Sequence, residues 1–508
     1  MVASVSALTS SGQAASYYES AGEYYANGGE SPSEWQGKGA EALGLSGDVD
    51  RDKFRDLLDG KVADQQLGTT RDGKLEHRPG WDVTLSAPKS VSIMAEVAGD
   101  RRLVAAHGAA VKAALAHVEQ HMAATRIRDG GAVNREATGN LVVASFQHGT
   151  SRAQDPQLHT HNVILNATKG EDGTWRSLEP RAIYQLQKQI GAIYRQELAL
   201  KVRELGYEIE VGKGSMFEIK GVSPEAMAAF STRSAEIEAA LGERGTSRDD
   251  ATAAEKQVAA LDTRQAKVAA NPKALLADWR ATASAAGFGP EVRLAMVKEA
   301  EAKAENKDRR ATMELQGESA ANRAVAFAAD KLGERQSVFS VAALHEETGR
   351  VGLGKVSYAQ IGEAIAAATK QGELIDRTHI DRRGAEFAGF TTRTNVETEA
   401  KLLRIETEGR GALSAIASPL AAAKAVASAS AQAERSGLGW NNDQRTATQQ
   451  LLTSRNRITA LQGFAGTAKT TTVLATFARE AEARGVPVVA LAPRVIAPSL
   501  CRRLKFLA

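Results

Sequence analysis

The feature that most constrains this chain is a pair of alternating segments separated by a polar stretch. "NLVVASFQH" (140–148) and "HTHNVILN" (159–166) are rich in β-branched residues, and apolar and polar residues alternate along each. Alternation predicts strands, because successive side chains of a strand point to opposite faces. We therefore expect two paired antiparallel strands, joined by a long loop that contains Pro156.

Three of the nine histidines fall on this predicted hairpin. His159 and His161 are two residues apart and leave the same face of their strand, and pairing brings His148 beside them. Three imidazoles on rigid strands make a facial metal site with open positions. The alternative is ordinary polar strand residues, which a single histidine would favour. All-nitrogen ligation suits Zn²⁺, Mn²⁺, Ni²⁺ or Co²⁺ and, less comfortably, Mg²⁺.

Two tyrosine pairs lie near the N-terminus, in "SYYESAGEYY". A phenol has an ordinary pKa of about 10 and is a weak nucleophile unless a base or a metal-polarised target assists it. Together with a metal site, the tyrosines suggest attack of a phenolate on a phosphodiester, which leaves a covalent phosphotyrosine. Asp82, on the polar face of a strand predicted over 81–86, could accept the phenol proton or orient a histidine. A polar strand-end residue with neither role is the alternative.

Four stretches together resemble the relaxase domain of the TrwC/TraI-type (MobF) conjugative relaxase-helicases. They are "AASYYESAGEYY", "SEWQGKGAEALGLSG", "WDVTLSAPKSVS" and "HGTSRAQDPQLHTHNVILN". The resemblance covers roughly residues 1–295. It implies an enzyme that nicks plasmid transfer-origin DNA at a specific site and strand, and stays bound to the 5′ end through phosphotyrosine.

The resemblance also implies roles for individual residues. Tyr17 is the expected nucleophile, Tyr24 serves a second transesterification, and Asp82 assists the nucleophile or orients a ligand. The expected metal ligands are His148, His159 and His161. The wider class has a hydrophobic residue between the last two histidines, whereas this chain has Thr160, which should point away from the metal face.

The implied fold is α/β (α+β): an HUH-type relaxase domain in which helices back a central antiparallel sheet. The expected cofactor is a divalent cation, Mg²⁺ or Mn²⁺, with Zn²⁺ or Ni²⁺ as alternatives. Expected partners are single-stranded or hairpin transfer-origin DNA, relaxosome accessory proteins and a conjugative coupling protein. Lys89, Arg152 and Arg195 are candidate phosphate contacts, although long basic side chains are solvated by default.

A phosphate-binding loop is predicted near the C-terminus, in "GFAGTAKTT". Gly463, Lys469 and Thr470 match a Walker A pattern, with Gly466 inside the loop, but Ala468 replaces the second glycine. Alanine there is tolerated if its backbone is right-handed and strained if it is left-handed. The loop lies between a predicted strand and a predicted helix, with another strand after the helix, and together with Gln444 upstream this resembles the start of a P-loop (RecD-like) helicase domain. No acidic Walker B strand follows, so ATP is expected only if the loop is functional, and unwinding is not expected.

We predict five segments along the 508 residues. They are a relaxase domain (1–295), a helical linker (296–314), a winged-helix-like segment (315–400), an Ala/Ser-rich linker (401–436) and an incomplete P-loop helicase domain (437–508). The basic end "RVIAPSLCRRLKFLA" does not continue a helicase pattern, and we expect that a frameshift or early stop has truncated a longer protein.

The composition indicates the cellular compartment of the protein but not its reaction. The single cysteine excludes internal disulfides, and neither a signal peptide nor a membrane-spanning run is recognisable, which predicts a cytoplasmic protein without membrane insertion. The net charge of +3 does not by itself indicate a nucleic-acid binder. Alternatives are a rolling-circle replication initiator, a decayed DNA-binding remnant and a hydrolytic metallo-phosphoesterase that would not need Tyr17.

Overall fold

The structure, a computed structural model, describes residues 3–12, 14–15, 33–129, 131–247, 249–263, 271–380, 386–437, 439–464 and 466–489. The chain divides into two compact units, Met1–Thr392 and Arg393–Ala508. The first unit is built on a central antiparallel sheet with helices, as the predicted fold class requires. The division into five segments stays a prediction.

The strands found among the described residues all belong to the first unit and are numbered in chain order. They are β1 Ala3–Ala7, β2 Ser33–Gln36, β3 Lys61–Val62, β4 Gln65–Gln66, β5 Thr69–Arg71, β6 Lys74–Glu76, β7 Gly80–Ser86, β8 Ala124–Asp129, β9 Ala132–Ala137, β10 Val143–Thr150, β11 Pro156–Leu165, β12 Thr168–Lys169, β13 Trp175–Arg176, β14 Ile209–Val211, β15 Phe217–Ile219, β16 Phe339–Ser340, β17 Leu374–Ile380 and β18 Glu386–Thr392.

Helices occur in both units. Those of the first unit are Lys38–Ala42, Arg51–Leu58, Lys89–Glu96, Arg101–Met122, Arg181–Gln185, Gln187–Glu204, Pro224–Ala229, Thr232–Gly242, Ala253–Asp262, Pro272–Ala285, Pro290–Glu305, Lys307–Gly333, Val341–Val351 and Tyr358–Lys370. Those of the second unit are Arg393–Glu408, Pro419–Arg435, Asn442–Thr453, a π-helical segment Lys469–Leu474 and Ala475–Glu482. Among the described helices, none combines the length and apolarity that crossing a bilayer requires.

The central sheet contains the predicted hairpin. Its strand order is β1-β7-β11-β10-β2, with every neighbouring pair antiparallel. β10 and β11 pair so that His148 lies opposite His159. The predicted long loop is wrong: β11 begins at Pro156, so the loop is only 151–155. Proline is accepted there because the first residue of a strand does not need a backbone N–H.

Two long helices cover one face of this sheet. Trp81, Val83 and Leu85 of β7 point to this side and are buried in one core with apolar residues of the helices Arg101–Met122 and Gln187–Glu204. The predicted strand over 81–86 is confirmed, because β7 spans Gly80–Ser86. We call this side the helix face.

The opposite side holds a second core and the three histidines. The rings of Trp35, Phe54 and Phe146 pack edge to face, with centroids 6.4 and 5.3 Å apart in the two successive pairs. Phe146 and His148 are two residues apart on β10, so they leave the same side of the sheet. We call this side the histidine face, because the three histidines project from it. The core supports the sheet next to the place where they meet.

A small module follows within the first unit, where the sequence predicts a winged-helix-like segment. Its three strands run in the order β16-β18-β17, and Ser357 and Gln360 form the predicted capping box. The module is fixed to the helix Gln187–Glu204. There Gln196 donates to the Gly352 carbonyl at 2.9 Å, and the Tyr358 N–H donates to Glu197 at 2.6 Å. The side chains of Gln196 and Glu197 are both buried.

The second unit is helical over its described residues. The strands expected before the phosphate loop and after the helix that follows it are not formed within 457–464 or 486–489. A buried parallel strand needs hydrogen-bonded neighbours, and the described part of this unit contains no other strand to pair with. Ala422 and Leu452 instead pack in a small interhelical core.

Candidate active site

Three histidines converge in the central sheet near the end of β10 and the beginning of β11. The ring centroids of His148, His159 and His161 are 5.2–5.3 Å apart in all three pairs. One nitrogen of each ring lies within 4.8 Å of the other two. His148 is only 6% exposed, and the other two are partly buried. The structure thus brings together the three residues that the sequence singles out as metal ligands.

The backbone two residues earlier orients the ring of His159. Nδ1 of His159 lies 2.8 Å from the carbonyl oxygen of Gln157. A carbonyl oxygen only accepts, so Nδ1 carries the proton and the lone pair stays on Nε2. Support of the far nitrogen by a carbonyl is typical of metal-binding histidines, because it fixes both tautomer and orientation.

Asp82 supports His161 in the same way. Its Oδ2 accepts from His161 Nδ1 at 2.7 Å, and its Oδ1 accepts from the Thr84 hydroxyl at 3.2 Å. The hydroxyl oxygen also lies 3.1 Å from Nδ1 of His161. The strand register explains the contact. Thr84 of β7 lies directly opposite His161, and Asp82, two residues before Thr84, lies on the same face of the strand. In the neutral ring the hydrogen bond to Asp82 places the lone pair of His161 on Nε2.

The donor set fits a divalent cation. Nitrogens that share one ion at about 2.1 Å lie roughly 3–3.5 Å from one another. The present nitrogens, within 4.8 Å, reach that spacing by small ring rotations. Ligands that come from two adjacent strands occupy one side of an ion and leave the other side for water or substrate. Within the described residues, no second group of three His, Cys, Asp or Glu side chains is so closely spaced.

Tyr17 and Tyr24 lie outside the described residues. The chain is described up to Ala15 and again from Ser33 at the start of β2. Ala14 and Ala15 are buried in the same core as Phe146, on the histidine face.

The three basic candidates have different surroundings. Lys89 Nζ donates to the Pro156 carbonyl at 3.2 Å, and burial lowers the pKa of Lys89, although Asp155 and Glu218 act against this. Arg152 is partly buried in the loop between β10 and β11. Arg195 lies on a helix that covers the helix face, so the structure does not bring it to the histidines. Contacts of these residues with phosphates stay a prediction.

The phosphate loop differs from the expectation for alanine. Ala468 has φ 53° and ψ 26°, the left-handed conformation that strains a residue with a Cβ. Ala468 is the N-cap of a π-helical segment that contains Lys469 and Thr470. Nζ of Lys469 donates to the carbonyls of Gly463 and Phe464, both at 2.5 Å. The lysine thus folds back over the loop, where a bound phosphate would compete with these carbonyls.

Sequence reasoning missed two groups that support the histidines. Thr84 and Gln157 each lie two residues from a predicted site residue on the same strand, and that period of two is the signal that could have identified Thr84. Gln157 acts through its backbone carbonyl. Its side-chain type therefore gives no signal.

A three-histidine centre on a central antiparallel sheet is the arrangement that the resemblance to HUH-type relaxase domains implies. The chain belongs to the TrwC relaxase family, whose sequence profile matches residues 11–286. A second profile, that of an AAA domain, matches residues 439–500. This second match agrees with the predicted start of a P-loop domain.

Two relatives match part of the chain. The multifunctional conjugation protein TraI of Escherichia coli K12 is 43% identical over 296 residues, and a second Escherichia coli TraI is 44% identical over 296 residues. Each match covers 56% of this chain and 16% of the TraI protein. The chain thus corresponds to a small part of those relatives.

Solved structures of the relaxase TrwC also match part of the chain. A copper-bound complex of TrwC with oriT DNA has 43% identity and a TM-score of 0.53, and covers 56% of this chain and 98% of that one. A complex with a 27-mer DNA comprising the recognition hairpin and the cleavage site has 41% identity and a TM-score of 0.51, with the same coverage.

Replacement of Asp82 by asparagine tests the support of His161. We expect Asp82→Asn to weaken Mn²⁺ binding by about 10- to 100-fold, because a neutral amide holds the Nδ1–H less strongly than a carboxylate. Calorimetric titration of the folded protein measures this. Asp278→Asn removes the same charge from an exposed position and should bind as the wild type does. Unchanged binding by Asp82→Asn would show that the carboxylate does not support the site.

Replacement of Ala468 by glycine tests the strain in the phosphate loop. Relief of the left-handed conformation should stabilise this segment by up to about 1 kcal/mol, seen as slower hydrogen exchange over Ala475–Glu482. Ala475→Gly is the matched control, since Ala475 has a helical φ of −65° and glycine there should destabilise by about 0.5–1 kcal/mol. Faster exchange in both variants would contradict a strained Ala468.

Proposed function

We propose that this protein is a metal-dependent relaxase that nicks one strand of plasmid transfer-origin DNA at a specific site and so starts conjugative transfer. The observation that carries the proposal is the cluster of His148, His159 and His161. Membership of the TrwC relaxase family supports it. The solved TrwC complexes with oriT DNA support the substrate class, and the name of the TraI relatives supports a place in conjugation.

A divalent cation held by the three histidines is part of the proposal. The contacts of His159 and His161 place Nδ1 of each ring on a hydrogen-bond acceptor, so Nε2 would be the ligand atom of each, and one TrwC complex is described as metal-bound. When bound, the ion would polarise the oxygens of the scissile phosphate. Mg²⁺ or Mn²⁺ is the proposed ion, with Zn²⁺ or Ni²⁺ as alternatives, because imidazole ligands suit several metals.

Tyr17 is the proposed nucleophile. Its oxygen attacks the scissile phosphorus, the P–O3′ bond breaks, and the 3′ oxygen leaves and takes up a proton. The 5′ phosphate remains as an ester of the tyrosine. Ala15, two residues before Tyr17 in the sequence, belongs to the same buried core as Phe146, and Phe146 is two residues from His148 on β10. Tyr24 is proposed to serve a second transesterification.

Asp82 is proposed to orient His161 and not to accept the phenol proton. Both of its oxygens already have partners, His161 Nδ1 at 2.7 Å and the Thr84 hydroxyl at 3.2 Å. A carboxylate in that position also stabilises positive charge that develops on the imidazole when an ion binds. Asp82 is only 7% exposed, which limits its access to a substrate hydroxyl.

Partners and compartment follow from the proposed reaction. Single-stranded or hairpin origin DNA is the substrate, and relaxosome accessory proteins and a conjugative coupling protein are the proposed protein partners. The cytoplasm is the proposed location. The phosphate loop is proposed to contribute neither ATP hydrolysis nor unwinding, since Lys469 is turned onto its own loop carbonyls.

Replacement of Tyr17 by phenylalanine tests the reaction. Wild-type protein, Mn²⁺ and an origin oligonucleotide labelled at its 3′ end, or internally on the 3′ side of the cleavage site, should give a protein-linked label on a denaturing gel. Tyr17→Phe should lose this adduct, because the attacking oxygen is gone, whereas Tyr18→Phe, one residue away, should keep it. A chelator should abolish it in the wild type.

Other outcomes would point elsewhere. Free cleaved DNA that persists in Tyr17→Phe would contradict the covalent mechanism and indicate hydrolysis. Binding to every origin tested without cleavage would indicate a DNA-binding remnant. Adducts with replication origins and none with transfer origins would indicate a replication initiator.

A further inference from the structure

The residue between the two β11 histidines is tied to the opposite side of the sheet. Thr160 points to the helix face and is 5% exposed. Its hydroxyl lies 2.8 Å from Nε2 of His107, in the middle of the helix Arg101–Met122. Thr160 is thus the peptide neighbour of both His159 and His161, and its side chain is held by His107 on the opposite side of the sheet.

The second nitrogen of His107 is also engaged. Nδ1 of His107 lies 2.7 Å from the hydroxyl oxygen of Tyr194, on the helix Gln187–Glu204. His107 and Tyr194 are fully buried, and their rings meet edge to face with centroids 5.5 Å apart. A continuous hydrogen-bonded chain therefore runs from helix to helix to the strand that carries two metal ligands.

The imidazole in this chain of hydrogen bonds is neutral. Burial, helped by the nearby His159, lowers the pKa of His107 to about 3, and burial raises the pKa of Tyr194 well above its usual range. Neutral imidazole has one donor and one acceptor nitrogen, so His107 accepts from one hydroxyl and donates to the other. Removal of either partner would leave a buried polar atom unsatisfied, which is costly in a low-dielectric interior.

We propose that His107 is a positioning residue for the metal centre, which it reaches through Thr160. The rings of His159 and His161 are fixed at their far nitrogens by Gln157 and Asp82. Those contacts set the orientation of the two rings but not the position of the β11 backbone relative to the helix Arg101–Met122. The His107–Thr160 bond sets that position, because a shift of Thr160 moves the backbone of both ligands together. This inference rests on the proposed metal-dependent function.

The predicted effect is on metal affinity. His107→Phe keeps a ring but loses both nitrogens, and Thr160→Val keeps the shape but loses the hydroxyl. Each should weaken Mn²⁺ binding by roughly tenfold or more, as loss of support around metal ligands does. The double variant should be no weaker than the poorer single variant, because both remove the same bond. His107→Gln, which keeps a polar group toward Thr160, should restore most of the affinity.

The experiment is calorimetric titration of the full chain with Mn²⁺, together with thermal unfolding of the metal-free protein. Tyr194→Phe is the matched control, because it removes only the distal hydroxyl and should affect affinity less than Thr160→Val. Thr160→Val also carries the test if His107→Phe does not fold, since it changes no ring and little volume.

Two results would overturn the inference in distinguishable ways. Lower thermal stability of His107→Phe and Thr160→Val with wild-type Mn²⁺ affinity would assign the bond to folding alone, and would leave the proposed function intact. Absence of Mn²⁺ binding in the wild type would overturn the inference and the proposed metal dependence together.

Discussion

The register between β10 and β11 is the constraint on which the rest of the site depends. His148 lies opposite His159, and Phe146 lies opposite His161. Because side chains alternate with a period of two, a slip of one residue would turn the ligands of one strand toward the helix face. Apolar packing opposes this slip, since Phe146 is buried with Trp35 and Phe54. The same alternation therefore encodes both the core and the metal centre.

Hydrogen bonds hold polar side chains of the sheet on both of its faces. On the histidine face Asp82 and the Gln157 carbonyl hold the ligand rings. On the helix face Asn162 of β11 accepts from the Ser145 hydroxyl at 2.8 Å and donates to the Val83 carbonyl at 2.8 Å. Buried polar groups stabilise a unique arrangement only when each has a partner. The strand between the ligands is therefore rigid in register as well as buried.

Periodicity explains what the sequence predicts correctly and where prediction stops. Alternation over 140–148 and 159–166 predicts the hairpin and the convergence of His148 with the other two histidines. The loop length is not predicted, because proline suits both a loop and a strand start. The partner of Thr160 is also hidden, since His107 is 53 positions away and lies in an Ala-rich helix without a distinctive pattern. At the phosphate loop, a strand–loop–helix pattern is present, but strands form only with neighbours.

Anomalous diffraction from crystals of the full chain with Mn²⁺ tests the central claim most directly. The account predicts one Mn²⁺ peak between β10 and β11, with a nitrogen of His148, His159 and His161 each at about 2.1 Å. It also predicts that Nδ1 of His161 still donates to Asp82 in that complex. A peak held by other side chains, or none at the histidines when Mn²⁺ is in excess, would contradict the account.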